Sequence, residues 1–289
     1  MIRHIGWSSE FHKNTGEGQL ARKYINTYFK GKKIKIISPQ ISFFLSNYIY
    51  QIYGIFVLWF YYFLGKKLIY INYLPLWNFL IFLLSPPNTV FGPITGSIQI
   101  NKIQNIKSIF RLFIIPLFYK ISLLILNLRA KKIIFGTNIL VKFLNKKILK
   151  KSKLNFILEN FKFKNSSKKK REYDLIVYYR KHENKFFSHH ISFISSQIKN
   201  KKKVLVVGDK LNIEGALQLG KVSRKKIKNL ISISKFALSG DDNLLSFFNL
   251  ECLQNNVKVI FNYKLKFQIT KINKRLFIPY NFGTNRFIK

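Results

Sequence analysis

Residues 173–209 read YDLIVYYRKHENKFFSHHISFISSQIKNKKKVLVVGD. Tyr173–Tyr179 and Lys203–Val207 are short apolar runs rich in β-branched and aromatic side chains, as expected of strands buried on both faces, and a helix-like stretch, Phe186–Ile198, separates them. Strand, helix, strand at this spacing is a βαβ unit, and such units build parallel sheets. In an open sheet of this kind, ligands gather outside the carboxyl ends of the strands. Arg180 and Lys185 follow the first strand at that end and Gly208 closes the second, so the two cations are aimed where a diphosphate would sit. A chance Arg–Lys pair on a solvated loop is the competing reading.

Downstream the alternation continues, with strands expected at Phe236–Leu238 and Val257–Phe261 and helices at Ser223–Ile233 and Leu244–Gln254. Upstream, residues 162–171 (KFKNSSKKKR) are polar, basic and without apolar period, which marks a linker. Residues 1–161 before it repeat the pattern, with strand candidates at Ile2–Trp7, Lys33–Ile37, Leu68–Asn72, Thr89–Phe91, Lys132–Phe135 and Asn155–Leu158. The expected fold class is α/β, with two Rossmann-like doubly wound domains, 1–161 and 172–289.

The 289 residues and 48% hydrophobic content suffice for two buried cores and exclude a mostly disordered chain. The formal charge of +40 comes from 51 Lys and Arg against 11 Asp and Glu. No acid lies between Glu17 and Glu159, so the excess is concentrated in the N-terminal half. Such a balance points to an anionic membrane surface or nucleic acid; codon bias toward Lys, Asn, Ile and Phe is the alternative. No helix-turn-helix, zinc-finger or RNA-recognition pattern accompanies the charge, so specific nucleic-acid binding is not expected. The single cysteine, Cys252, excludes an intramolecular disulfide and a Cys-cluster metal site, and fits the cytoplasm. Ile41–Leu64 is uncharged and long enough to span a bilayer. Ser42, Ser46, Asn47 and Gln51 recur on one side of it, which suits an amphipathic domain helix better. Ile109–Leu128 is expected to be interrupted by Arg111, Pro116 and Lys120. Peripheral attachment to the inner face of the cell membrane is therefore favoured over insertion.

Three clusters remain as candidate chemistry. Thr15, Gly16 and Gly18 (TGEG) precede a helix-like run, Gln19–Phe29, where glycines let backbone N–H groups reach a phosphate; an ordinary tight turn reads the same way. Arg180, Lys185 and Gly208 form the second. Ser239–Cys252 (SGDDNLLSFFNLEC) is the third, and in it Glu251 falls on an apolar helix, either facing a cleft to accept bonds from a ribose diol or on the helix surface to pair with a nearby lysine. His189–His190 has no carboxylate or cysteine at metal spacing, and no metal site is expected.

Together these clusters resemble the donor-binding half of the GT-B glycosyltransferases, in particular the large retaining group of cell-envelope polysaccharide synthesis. In that group an Arg and a Lys five positions apart bind the donor diphosphate, as Arg180 and Lys185 would, and the next strand ends in Val-Gly, as Val207–Gly208 does. Two glutamates eight apart attend the sugar and the ribose; Glu251 matches the second and Asn243 replaces the first, with Ser246 between them on the donor side. Thr15–Gly18 looks like the family's first loop, and Phe91–Gly96 (FGPITG), with Gly92 and Gly96, lies where the family has a loop facing the cleft. The family's N-domain histidine has no counterpart in Ile71–Tyr73. The resemblance implies two domains facing a cleft and metal-independent, retaining transfer without cofactor from a nucleotide-sugar donor to a glycan or glycolipid acceptor. Asn243 and the missing histidine keep open a non-catalytic binding protein, either a relative of the same fold or a membrane-bound basic protein.

Overall fold

In a computed structural model of the chain, which describes residues 2–13, 16–39, 46–96, 109–159, 170–181, 185–186, 188–269 and 274–288, the strands pair into two separate sheets. The chain divides into two compact units, Met1–Asn160 and Phe161–Lys289.

The N-terminal unit runs β1 (His4–Trp7), α1 (Gly16–Tyr28), β2 (Ile34–Ile37), α2 (Ser46–Phe63), β3 (Lys67–Pro75), α3 (Phe79–Leu84) and β4 (Val90–Thr95). A π-helical turn (Phe110–Ile114) then leads into α4 (Ile115–Arg129), followed by β5 (Lys132–Phe135), α5 (Lys146–Lys151), β6 (Ser152–Lys153) and α6 (Phe156–Glu159). Its sheet has the order β2-β1-β3-β4-β5-β6, parallel throughout. Ile55 and Leu58 of α2, Ile81 and Phe82 of α3, and Tyr119, Leu123 and Leu126 of α4 join Trp7, Tyr70, Phe91 and Phe135 in one core. Three helices thus cover one face of the sheet.

The C-terminal unit runs β7 (Tyr173–Tyr179), α7 (Ser188–Lys199), β8 (Val204–Gly208), β9 (Leu217–Gln218), α8 (Arg224–Ser232), β10 (Ser234–Leu238), α9 (Phe247–Gln254) and β11 (Lys258–Asn262). A 3-10 turn (Tyr263–Gln268) precedes β12 (Phe277–Asn281) and β13 (Arg286–Phe287). The order is β13-β12-β11-β10-β7-β8-β9, parallel except for the last hairpin. Leu175, Ile176 and Val177 are consecutive and all buried, which only cover on both faces permits. The chain steps outward from β7 to β9, returns to the other side of β7, and steps outward again from β10 to β12. That is the doubly wound order of a dinucleotide-binding fold, with its switch point between β7 and β10.

The α/β class with two Rossmann-like domains is therefore as expected, and several details differ. Asn155–Leu158 is not a strand: Asn155 has φ +58° and opens α6, and the sixth strand is Ser152–Lys153. The stretch from Phe110 to Arg129 is helical without a break. Pro116 falls in the first turn of α4, where the change from π to α bonding accommodates a residue without an N–H. Leu112–Arg129 is long and apolar enough to cross a membrane by length and composition. Residues 41–45 of the other candidate span lie outside the described residues, and so does most of the expected linker. Its last residue, Arg171, is tied into the C-terminal unit, donating to the carbonyls of Ser232, Ser234 and Asn255.

Candidate functional site at the switch point of the C-terminal sheet

Two loops leave the carboxyl ends of β7 and β10, the strands that flank the switch point. The first carries Arg180, which is exposed, and Lys185, which is half-buried. The second carries Ser239, Gly240, Asp241, Asp242 and Asn243. They are stitched together: the Asp241 N–H donates to the Lys185 carbonyl at 2.9 Å, and Lys185 Nζ lies 3.2 Å from Asp242 Oδ2. The cation expected to meet a diphosphate is thus positioned by a loop that sequence places far downstream.

Beside β7, Gly208 ends β8 with φ +107°, and a Cβ there would stand 2.1 Å from the Tyr179 carbonyl oxygen. The glycine lets the two strand ends close up. Asp209 then bridges them, its N–H donating to Tyr179 O and its Oδ2 accepting from the Lys181 N–H, both at 2.9 Å. That backbone bond, ahead of the nearby Lys221 and Arg180 charges, lowers the Asp209 pKa.

Polar side chains after β10 are largely committed within their own loop. Asn243 Oδ1 accepts from the Leu245 N–H at 2.8 Å, a local turn of the kind Asn favours. Ser246 caps α9, its hydroxyl accepting from the Asn249 N–H. Asn249 is buried and donates to Ser239 Oγ at 2.8 Å and to the Leu244 carbonyl at 3.1 Å. Glu251, two residues on and buried, accepts from Arg224 Nε at 3.0 Å and Nη2 at 2.6 Å. Arg224 is the first residue of α8, and its guanidinium also lies over the Phe247 ring. Glu251 is buried and not on the helix surface, and its Oε1 is held by an arginine that sequence reasoning missed, with Lys228 Nζ 3.9 Å away.

A second unanticipated group lies at the start of α7. His189 Nε2 is 3.1 Å and His190 Nε2 3.3 Å from the two carboxylate oxygens of Asp241, and Asn262 Nδ2 donates to Oδ2 at 3.0 Å. Burial alone would raise the Asp241 pKa. The bonds from His189 and Asn262 and the adjacent His190 imidazole outweigh it and hold the carboxyl well below the usual range. The carboxylate missing at metal spacing in the sequence is therefore supplied by the fold.

In the N-terminal unit, Thr15 lies outside the described residues. Gly16 opens α1 and Gly18 sits in its first turn, where a Cβ would meet the carbonyl oxygens of Lys13 and Glu10. Gly92 is not in a loop, because Val90–Thr95 is strand β4. There Gly92 has φ +152°, with the Ile134 carbonyl 2.7 Å from where a Cβ would be. Only Gly96 lies beyond the strand end, against Leu140. At this sheet's own switch point, between β1 and β3, Asn72 Oδ1 accepts from the Ser9 N–H at 3.0 Å and lies within 3.4 Å of the Ser8 hydroxyl. A cavity of about 460 Å³ opens at the opposite, amino ends of the strands, lined by His4, Lys32, Lys66, Lys67, Lys131 and Lys132 among others.

No protein-family model and no curated protein matches the chain. Solved structures do. An α-glucosyltransferase in complex with UDP and a 13-mer DNA is similar at 11% identity and a TM-score of 0.49, over 97% of this chain and 86% of that one. An E. coli heptosyltransferase, WaaC, with ADP-2-deoxy-2-fluoro heptose matches at 10% identity and 0.34, over 90% and 88%. The UDP-GlcNAc 2-epimerase from Methanocaldococcus jannaschii matches at 10% identity and 0.44, over 96% and 88%. The doubly wound topology rests on the strand pairing itself.

Proposed function

We propose that this chain is a GT-B glycosyltransferase that transfers a sugar from a nucleotide-diphosphate donor held at the β7–β10 switch point. The observation that carries the reading is the coincidence of that switch point with the loop bearing Arg180 and Lys185, the position where doubly wound sheets take nucleotides. Lys185 is already paired with Asp242, but that pair is about one-third exposed and such pairs contribute at most about 1 kcal/mol. A diphosphate therefore displaces Asp242 at small cost. Arg180 and Lys185 then neutralise the leaving diphosphate, the electrostatic role that lets the chemical step dispense with a cation and a cofactor. Glu251 holds the ribose hydroxyls, with Arg224 as its positioning residue. Transfer retains the anomeric configuration, as the family resemblance implies.

The acceptor is a glycan or glycolipid of the cell envelope, met by the N-terminal unit at the inner membrane face. Support comes from the outer faces of α2, α3 and α4, where Phe56, Phe60, Phe63, Leu80, Leu84, Leu117, Leu124 and Leu128 are exposed. Phe60, at 62%, and Phe63, at 78%, sit on the helix expected to turn a polar side outward. Apolar patches of this kind mark interaction sites, and lysines at the neighbouring strand ends suit an anionic leaflet.

The test is calorimetric titration of the full chain with UDP, GDP, ADP and CMP and their sugar conjugates. One nucleotide should bind, and Arg180→Ala and Lys185→Ala should each weaken it about tenfold, a charge-assisted bond's worth. Absence of binding by all of them sinks the reading. Asn243, committed to the Leu245 N–H where the family has a glutamate, favours one alternative: binding without turnover marks a non-catalytic protein of the same fold.

A further inference from the structure

From the geometry at the start of α7 we infer that His189, His190 and Asp241 form a binding site for a divalent transition cation of the zinc class. The three candidate ligand atoms, the two imidazole nitrogens and a carboxylate oxygen, lie within 4.8 Å of one another. A tetrahedral site with bonds of about 2.0–2.1 Å places its ligand atoms about 3.3 Å apart. Each imidazole already stands near that spacing from one oxygen of the same carboxylate, His189 Nε2 at 3.1 Å from Oδ2 and His190 Nε2 at 3.3 Å from Oδ1. The longer separations in the group, none above 4.8 Å, must contract on a cation, and His189, whose ring is partly exposed, is the ligand placed to turn.

The surroundings hold the ligands in this arrangement. The His190 ring is fully buried between Phe186 and Phe282, with centroids at 5.2 and 4.9 Å, and His189 packs on Phe282 at 4.7 Å. Asp241 is fixed from behind by its N–H bond to the Lys185 carbonyl and from the side by Asn262 Nδ2. Such outer contacts are what orient metal ligands. Two imidazoles and one carboxylate suit zinc, and a hard cation such as Mg²⁺ prefers an all-oxygen shell. Asp242, the next acid in this loop, pairs with Lys185, and among the described residues Asp241 is the carboxylate grouped with the two histidines. Three protein ligands leave one position for water.

The cation would clamp the amino end of α7 to the loop after β10. Because that loop grips Lys185 through both its carbonyl and its ammonium, the clamp is a positioning device for Lys185, and its ligands are none of the groups proposed above to touch the nucleotide. It takes no part in the transfer chemistry.

The experiment uses the full chain stripped with a chelator and titrated with Zn²⁺ in competition with a chromophoric indicator, and with Co²⁺ read by its visible ligand-field bands. One equivalent should bind at micromolar affinity or tighter, with the intense Co²⁺ absorption of a low-coordinate site. His189→Ala and Asp241→Asn should each weaken binding at least about tenfold, and His12→Ala, at an exposed position outside the cluster, should not. His189→Ala removes a partly exposed ring and keeps the test valid should Asp241→Asn disturb folding. Lack of saturable binding, or equal binding in wild type and His189→Ala, overturns the site; a nucleotide titration on the same sample reports separately on the donor reading.

Discussion

A methyl group on Gly208 would stand 2.1 Å from the Tyr179 carbonyl oxygen on a backbone at φ +107°. Gly208→Ala should therefore lower stability by roughly 2–3 kcal/mol, through strain and forced separation of β7 from β8. A urea unfolding midpoint unchanged from wild type would show that the strand ends can part without cost. Sequence alone makes Val207–Gly208 a strand end, but the reason for glycine, the neighbouring carbonyl, is visible only in the fold. The same limit governs the other site residues. Arg180 and Lys185 are legible because each follows a strand that announces itself locally. Arg224 is 27 residues from Glu251, and Asp241 is 52 residues from His189. Neither pairing has a periodic or spacing signal, and so sequence reading missed both.

At the scale of elements, apolar runs betray strands that are buried on both faces, and β7, β8 and β11 fall within a residue or so of where they are expected. The two-residue strands β6, β9 and β13 carry too few side chains to form a pattern, and β12 contains Pro279, which argues against a strand unless the ladder does without its N–H. The polar residues Ser42, Ser46, Asn47 and Gln51 make the run that contains α2 read as an amphipathic domain helix, but in the structure Phe56, Phe60 and Phe63 are exposed on α2, and the outer face of α4 is apolar too. That property gives a prediction. The double variant Phe60→Ser, Phe63→Ser should keep wild-type stability within about 1 kcal/mol, since both rings are exposed. It should lose most co-sedimentation with vesicles containing anionic lipid. Undiminished binding to those vesicles would remove these rings from the docking face.

Taken whole, the molecule has two sheets with separate cores, one around Trp7, Leu58 and Phe91 and the other around Val177, Ile194 and Val206. Scanning calorimetry should accordingly resolve two transitions, and the nucleotide should raise only one, by about 2.7 kcal/mol at a hundredfold excess over its dissociation constant. A single transition would show that the units melt as one. The residues themselves determined the α/β class, the twofold division and the loop that bears Arg180 and Lys185, because hydrophobic runs and βαβ spacing act over short stretches of chain. Tertiary structure alone decided the strand order that puts a switch point at that loop. It also brought Asp241 to the histidines and Arg224 to Glu251, because those juxtapositions arise only when distant segments return to the same edge of a sheet.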